Sequence, residues 1–131
     1  MSQVQGQFQI TSWDEVAFQE REDGAKQSLA KITQQYTGAI EGTSTLQYLM
    51  CYRADGDATF VGFETVTGTV DGKSGSFVLQ HNGTFSHGVA QSQFQVVAGS
   101  ATDELAPLVG IGSFTSGEQG QAQYQLEFSW I

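Results

Sequence analysis

Two ionisable side chains, Glu64 and His81, stand in a stretch of alternating strand-like sequence that runs from residue 62 to residue 85. An ionisable group on the apolar side of a strand costs free energy unless it is paired. A carboxylate and an imidazole are also residue types that carry general acid and base chemistry. Two interpretations are therefore open: a structural pair, bonded mutually or to Gln47, and a polar site for a ligand or a reaction.

Few other residues have the types or the spacing that a reaction or a metal would need. No second histidine or carboxylate has ligand spacing with His81, and His87 falls in a turn, so we predict no metal site. Cys51 is the only cysteine, which excludes an internal disulfide and a thiolate zinc site of the usual kind. Gly110 and Gly112 open a strand and not a helix, so they do not form a nucleotide fingerprint. We expect no cofactor.

Composition limits the class of protein and its partners. The 131 residues predict one domain, residues 1–131, with enough chain to bury a core. With 14 Asp and Glu against 5 Lys and Arg the formal charge is -9, which disfavours nucleic acid and anionic lipid surfaces as partners. The first 13 residues have no basic region followed by an apolar one. We therefore expect a cytoplasmic protein that binds neither nucleic acid nor membranes.

Alternation of apolar and polar residues, interrupted by turns, runs along the whole chain, which has 16 glycines and one proline. This pattern predicts an all-β protein. The predicted strands cover residues 3–13, 26–37, 39–53, 58–70, 74–86, 89–98, 109–116 and 121–130. Eight strands of this length favour a single closed antiparallel β-barrel. We predict one short helical turn near 102–108, and lids or plugs from the acidic loop 14–24 and segment 100–107.

The turns predict a register for the central strands. A loop at 54–57 places Gln47 opposite Glu64, and a turn at 71–72 places His81 opposite Gly62. Glu64 and His81 then point inward as diagonal neighbours. The residues predicted to line the lumen and contact a ligand are Glu64, His81, Gln47, Phe60, Phe77 and Phe94. Glu41 and Arg53 fall toward opposite rims, where either could meet the polar end of a ligand.

The same register predicts an apolar patch on the outside of the barrel. Tyr48 lies opposite Phe63, and Met50 lies opposite Val61. Monomers seldom expose such a patch, so we interpret these four residues as a subunit interface of a homodimer or higher homo-oligomer. The alternative is that the acidic loop folds over the patch.

Two segments resemble a known family. EGTSTLQYLMCYRADGDATFVGFETVTGTVDGKSGSFVLQHNGTF and VVAGSATDELAPLVGIGSF are similar to a bacterial domain-of-unknown-function family, number 3224, of small β-barrels. That family resembles in architecture the barrels of allene oxide cyclases and dirigent proteins. The resemblance covers nearly the whole chain and implies an eight-stranded antiparallel barrel with a central cavity, commonly oligomeric. It implies no reaction, because the family has no assigned activity.

Three functions remain open. The first is a binding protein that holds a small apolar or amphipathic ligand in the lumen, oriented by Glu64 and His81. The second is an isomerase or cyclase that uses the buried carboxylate. The third is a filled barrel that acts only as an oligomerisation or interaction module. If the pair serves a ligand, replacing both residues by leucine should be neutral or stabilising.

Overall fold

The computed structural model describes residues 2–131, which form a closed β-barrel of eight antiparallel strands. The elements in chain order are β1 (Ser2–Glu20), β2 (Lys26–Gly38), β3 (Ile40–Tyr52), β4 (Ala58–Val70), β5 (Lys73–Ser86), β6 (Val89–Val96), a 3-10 turn (Asp103–Leu105), β7 (Leu108–Ser116) and β8 (Gln121–Trp130). Each strand pairs with its neighbour in sequence, and β8 pairs with β1. The predicted barrel and its short helical turn are confirmed. Residues 2–131 contain no helix that is long and apolar enough to cross a membrane.

Alternating burial along each strand fills the barrel with side chains. In β4, Phe60 and Val66 are buried, whereas Val61 and Thr65 between them are exposed. Because successive side chains of a strand point to opposite faces, one set of positions builds the core and the other meets solvent. The buried aromatic residues are Phe8, Tyr36, Tyr48, Phe60, Phe77, Phe94, Phe114, Tyr124 and Phe128.

Strand β1 is longer than the sequence pattern predicts. The stretch 14–24, predicted as an acidic loop, is strand as far as Glu20, which pairs with Lys26 of β2. The charge of Glu15, which argues for a loop, is compatible with a strand here because its carboxylate accepts hydrogen bonds from Ser28 and Tyr52. The prediction of a lid from this stretch is therefore wrong; it forms a ribbon with β2.

The 3-10 turn closes one end of the barrel. Leu105 is fully buried there, and the turn packs against β5. Thr102 donates its backbone N–H to the Ser76 carbonyl at 2.8 Å. A Cβ on Gly75 would lie 2.2 Å from the Thr102 carbonyl oxygen, so this close approach requires glycine. Segment 100–107 thus acts as a plug, as predicted.

The β3–β4 hairpin differs by one residue from the predicted register. Leu46, and not Gln47, lies opposite Glu64. The loop runs from Arg53 to Asp57 and is closed by a hydrogen bond from the Arg53 N–H to the Asp57 carbonyl at 2.8 Å. It is therefore one residue longer than the predicted loop at 54–57, and a one-residue slip sends every side chain of a strand to the other face.

This register corrects the predicted outer patch. Tyr48 and Met50 point into the barrel with 4% and 5% of their surface exposed, so their assignment to an outer interface is wrong. Gln47 lies on the outer face and is exposed, so its assignment to the lumen is also wrong. Val61 and Phe63 do lie outside, with 45% and 58% exposed.

The plug yields a stability prediction. Leu105→Ala should lower the free energy of unfolding by about 2 to 5 kcal/mol, because the deleted methyl groups leave a cavity at the barrel end. Ile111→Ala is the control, because this side chain is 55% exposed. It should change the free energy of unfolding by about 0.5 kcal/mol or less. Urea unfolding measures both, and equal effects of the two variants would contradict the plug.

Candidate functional site

Strands β4 and β5 bring Glu64 and His81 into direct contact inside the barrel. The short turn between them pairs Gly62 with His81 and Glu64 with Leu79, as predicted. His81 Nε2 lies 2.7 Å from Glu64 Oε1, and both side chains are almost completely buried. The predicted diagonal contact is confirmed.

Three hydroxyl groups complete the hydrogen bonding of this pair. Tyr36 OH and Ser44 Oγ each donate to Glu64 Oε2 at 2.6 Å. On the other side, His81 Nδ1 lies 2.9 Å from Ser92 Oγ. These five side chains, which we call the polar cluster, come from five consecutive strands, β2 to β6.

The contacts of Tyr36 and Ser92 show how the polar cluster is bonded. Burial, and then the negative charge of Glu64, raise the pKa of Tyr36 well above its ordinary value, so Tyr36 is a neutral donor to the carboxylate. Ser92 Oγ also donates to the Gln93 carbonyl oxygen at 3.2 Å, so its hydroxyl contacts both His81 and the backbone. Both carboxylate oxygens and both imidazole nitrogens then have partners.

Hydrogen bonds link Ser92 to His81 and His81 to Glu64. This is the order of nucleophile, base and acid in a catalytic triad. Ser92 is only 3% exposed, however, and it does not line the cavity that lies next to the polar cluster in the lumen. A substrate would have no route to its hydroxyl oxygen. The burial of Ser92, His81 and Glu64 therefore supports a structural hydrogen-bond network more than a hydrolytic site.

A cavity of about 70 Å³ lies in the lumen next to the polar cluster. Ser116 and Gly120 line it, which places it toward the barrel end that carries the turns 87–88 and 117–120. None of its lining residues is Asp, Glu, Lys, Arg or His. The aromatic side chains that line it are Phe8, Trp13, Tyr48, Phe60, Phe85 and Phe114. The barrel is thus filled at its plugged end and hollow toward the other.

Two residues that line this cavity, Tyr48 and Gln34, each carry a buried polar atom without a hydrogen-bond partner in the protein, Tyr48 OH and Gln34 Oε1. Burial, and then the negative charge of Glu64, raise the pKa of Tyr48 well above its ordinary value. Tyr48 is therefore a neutral phenol. Because buried polar groups are nearly always bonded, the cavity that these two residues line is the candidate site.

The polar cluster lies directly behind the wall of the cavity. The ring of His81 packs edge-on against Tyr48 with centroids 5.4 Å apart, and against Phe114 with centroids 5.7 Å apart. On its cavity side, the Tyr48 ring packs against Phe60 at 4.5 Å. Glu64 and His81 thus support the wall without lining it.

Trp13 of β1 stands at the mouth of the cavity. It lines the cavity although 46% of its surface is exposed. Its Nε1–H donates to Glu15 Oε1 at 3.0 Å. Partial burial acts to raise the pKa of Glu15, but the hydrogen bonds from Ser28, Tyr52 and Trp13 outweigh it and lower that pKa. A carboxylate that stays ionised therefore orients the indole ring.

The structure distributes the remaining predicted residues over several places. Phe60 lines the cavity, whereas Phe77 and Phe94 are buried elsewhere in the lumen. Glu41 is exposed and does not line the cavity. Arg53 forms salt bridges with the neighbouring Asp55 and Asp57 at 2.7 and 3.2 Å. Within residues 2–131, no three His, Cys, Asp or Glu side chains are grouped so as to hold a metal ion.

Sequence reasoning missed Tyr48 and Gln34 as site residues. A signal for Tyr48 was present, because Leu46, Tyr48 and Met50 form the more apolar of the two alternating sets in β3. That set belongs inside the barrel. The free energy gained by burying it decides the register more strongly than the number of loop residues, on which the predicted register depended. Gln34 carries no such signal, since the sequence is rich in glutamine on solvent-facing positions.

These features define a small closed β-barrel with an uncharged, aromatic-lined cavity at one end. Residues 4–128 match the model of the family described as protein of unknown function (DUF3224), and the chain belongs to that family. It is similar over 100% of its length to 98% of a solved chain, a protein with unknown function from the DUF3224 family of Shewanella oneidensis MR-1, with 29% identity and a TM-score of 0.81. The comparison with curated proteins finds no match.

The hydrogen bonds of the polar cluster change the expected effect of removing the pair. Glu64→Leu with His81→Leu would leave the hydroxyls of Tyr36 and Ser44 buried without a partner, at about 1 to 3 kcal/mol each, whereas Ser92 keeps the Gln93 carbonyl as its acceptor. We therefore expect the double variant to be less stable than the parent by at least about 2 kcal/mol.

A matched variant separates the hydroxyls from the pair. Adding Tyr36→Phe and Ser44→Ala to the double variant removes the orphaned hydroxyls and should recover most of the lost stability. Urea unfolding of the parent and both variants is the measurement. A double variant as stable as the parent would show that the network contributes little to folding.

Proposed function

We propose that the protein binds a small, uncharged and mainly apolar molecule in the cavity at the open end of the barrel. The observation that carries the proposal is the uncharged cavity in the lumen, which is lined mainly by aromatic side chains. Sites for small ligands are mostly apolar and contain a few polar groups that fix orientation. An anionic ligand is disfavoured, since none of the residues that line the cavity is basic.

Isomerase or cyclase chemistry, suggested by the architectural resemblance to allene oxide cyclases, has less support. Glu64 and His81 are bonded to one another and lie behind the wall. Tyr48 is the one ionisable residue that lines the cavity, and its raised pKa makes it a poor proton donor in a reaction. We therefore propose binding without catalysis.

Filling the cavity should abolish binding. Ala90 lines the cavity, so Ala90→Leu would occupy part of its volume, whereas Ala98→Leu adds the same groups at an exposed position. Benzyl alcohol, titrated into the parent and the Ala98→Leu control, should shift the indole N–H resonance of Trp13 and leave that of Trp130 unchanged. The Ala90→Leu variant should show no shift. Equal shifts in all three proteins would place the binding site outside the cavity.

We also propose that two copies of the chain associate through an apolar row on the outer face of β1 to β4. Val16 lies opposite Leu29, Leu29 opposite Leu49, and Leu49 opposite Val61, so four apolar side chains adjoin across four strands. Val16, Leu49 and Val61 are 62%, 52% and 45% exposed. With Phe63, these residues are called the outer apolar row. An exposed patch of this kind is typical of an interaction site.

A second copy of the chain is the partner that we propose for the outer apolar row. The chain carries 14 acidic and 5 basic residues, and two copies would repel one another over most of their surface. Beside the row, however, Asp14 lies opposite Lys31, so this face has one acid and one base. In a two-fold dimer the same face meets itself, and each acid can lie near the partner's base.

A charge placed in the row should dissociate the dimer. Leu49→Lys buries an ammonium group in the proposed interface and should convert a dimer into a monomer in sedimentation velocity at micromolar concentration. Ile111→Lys is the matched control, because Ile111 is 55% exposed on β7, where its cross-strand neighbours are Gln95 and Glu127. Identical sedimentation of parent and Leu49→Lys would refute the interface.

A further inference from the structure

The stretch TSWDEVAFQE, residues 11–20 of β1, has a strand neighbour on one side only. Strand β8 pairs with residues 2–9, and the backbone N–H of Ile10 donates to the Gly120 carbonyl at 2.8 Å. In the part of the chain that the structure describes, residues 11–20 pair with β2 alone. A bulge between Ile10 and Ser12 separates them from the doubly paired part of β1. We call residues 11–20 the free-edge segment.

The free-edge segment has few of the contacts that hold a strand in the barrel. None of its side chains is buried, and Trp13, Val16 and Phe18 are 46%, 62% and 57% exposed. In the doubly paired part of β1, by contrast, Phe8 belongs to the core. Segments with few buried apolar contacts open at a lower free energy than the whole protein unfolds. The free-edge segment can therefore detach from β2 while the rest of the barrel stays closed.

Glu15 connects the free-edge segment to two strands of the barrel wall. Its Oε2 accepts hydrogen bonds from Ser28 Oγ of β2 and, at 2.7 Å, from Tyr52 OH of β3. Ser28 is fully buried, so this contact reaches into the barrel. The other oxygen, Oε1, accepts the Trp13 indole N–H at 3.0 Å. Hydrogen bonds to a charged acceptor are stronger than those between neutral groups, so Glu15 is the strongest side-chain contact of the segment.

We propose that the free-edge segment detaches locally from β2 to open the cavity at Trp13, and that Glu15 is the positioning residue that holds it in place. The segment is a strand beside the mouth and not a loop across it, and Trp13, which lines the cavity, moves with it. The inference rests on the proposed function in one respect, that the cavity admits a ligand. The opening itself can be measured without a ligand.

Hydrogen exchange of the ligand-free protein tests the role of Glu15. Glu15→Ala removes the bonds to Ser28 and Tyr52. The backbone amides of the free-edge segment that bond to β2 should then exchange at least about tenfold faster than in the parent, as the loss of one hydrogen bond to a charged group would give. Amides of residues 3–9 should exchange equally in both proteins, because the opening is confined to the free-edge segment.

Two further variants separate the hydrogen bonds of Glu15 from its charge. Asp14→Ala is the matched control, since it removes an acid from an exposed position of the same segment. It should leave the exchange rates unchanged within about twofold, because exposed charges contribute little to stability. Tyr52→Phe removes one donor and keeps the carboxylate. It should accelerate exchange of the free-edge segment by a smaller factor than Glu15→Ala does.

A reversible disulfide tests whether the opening is the route to the cavity. Asp14 lies opposite Lys31 of β2, and opposite residues of an antiparallel pair have the Cα spacing that a disulfide needs. In Asp14→Cys with Lys31→Cys, made together with Cys51→Ser, oxidation should slow the entry and the exit of benzyl alcohol by the same factor. Reduction should restore both rates. The dissociation constant should stay unchanged, because a barrier on the route acts equally on entry and exit. Line shapes of the Trp13 indole resonance report both rates.

The outcomes separate this inference from the proposed function. Equal exchange of the free-edge segment in the parent and in Glu15→Ala would overturn the role of Glu15, and so would an equal acceleration in Asp14→Ala. Binding rates that are the same in the oxidised and reduced disulfide variant would show that benzyl alcohol enters by another route, and would overturn the opening at Trp13. If the parent binds no benzyl alcohol, the proposed function fails, and hydrogen exchange alone still decides whether Glu15 holds the segment in place.

Discussion

The carboxylate of Glu64 is the constraint on which the rest of the barrel depends. A buried carboxylate without partners would be too costly to keep in the core. Its oxygens are bonded by groups from β2, β3 and β5, and His81 extends the network to Ser92 of β6. A one-residue slip of any of these strands would turn its polar side chain outward and break the network. One ionised group therefore helps to specify the register of five strands, which apolar packing alone would specify less strictly.

The same network shapes the cavity from behind. Tyr36 donates to the Glu64 carboxylate, whereas the hydroxyl of Tyr48 has no partner in the protein and its ring packs edge-on against His81. Burial, and then the charge of Glu64, raise the pKa of the Tyr48 phenol. The polar cluster therefore lies behind one wall of an uncharged, aromatic-lined cavity.

Sequence reasoning succeeded where local pattern decides the structure. Alternation located the strands, and the tight turn at 71–72 gave the correct pairing of Gly62 with His81. It failed at β3. The loop is one residue longer than predicted, so the predicted register wrongly assigned Tyr48 to the outer face, whereas Tyr48 points into the barrel. It also failed at Glu15, whose charge suggests a loop but is stabilised by side chains of β2 and β3. A buried atom that lacks a partner, such as Gln34 Oε1, depends on all its neighbours in space and has no local signature.

The lengths of the connections decide which end of the barrel is open. At one end the chain between β6 and β7 runs from residue 97 to residue 107, long enough to form a turn that buries Leu105 in the lumen. At the other end the connections cover residues 21–25, 53–57, 87–88 and 117–120, and loops this short have few residues with which to fold across a mouth. The long connection closes one end of the lumen, and the cavity, which Trp13, Ser116 and Gly120 line, lies toward the end with the short connections.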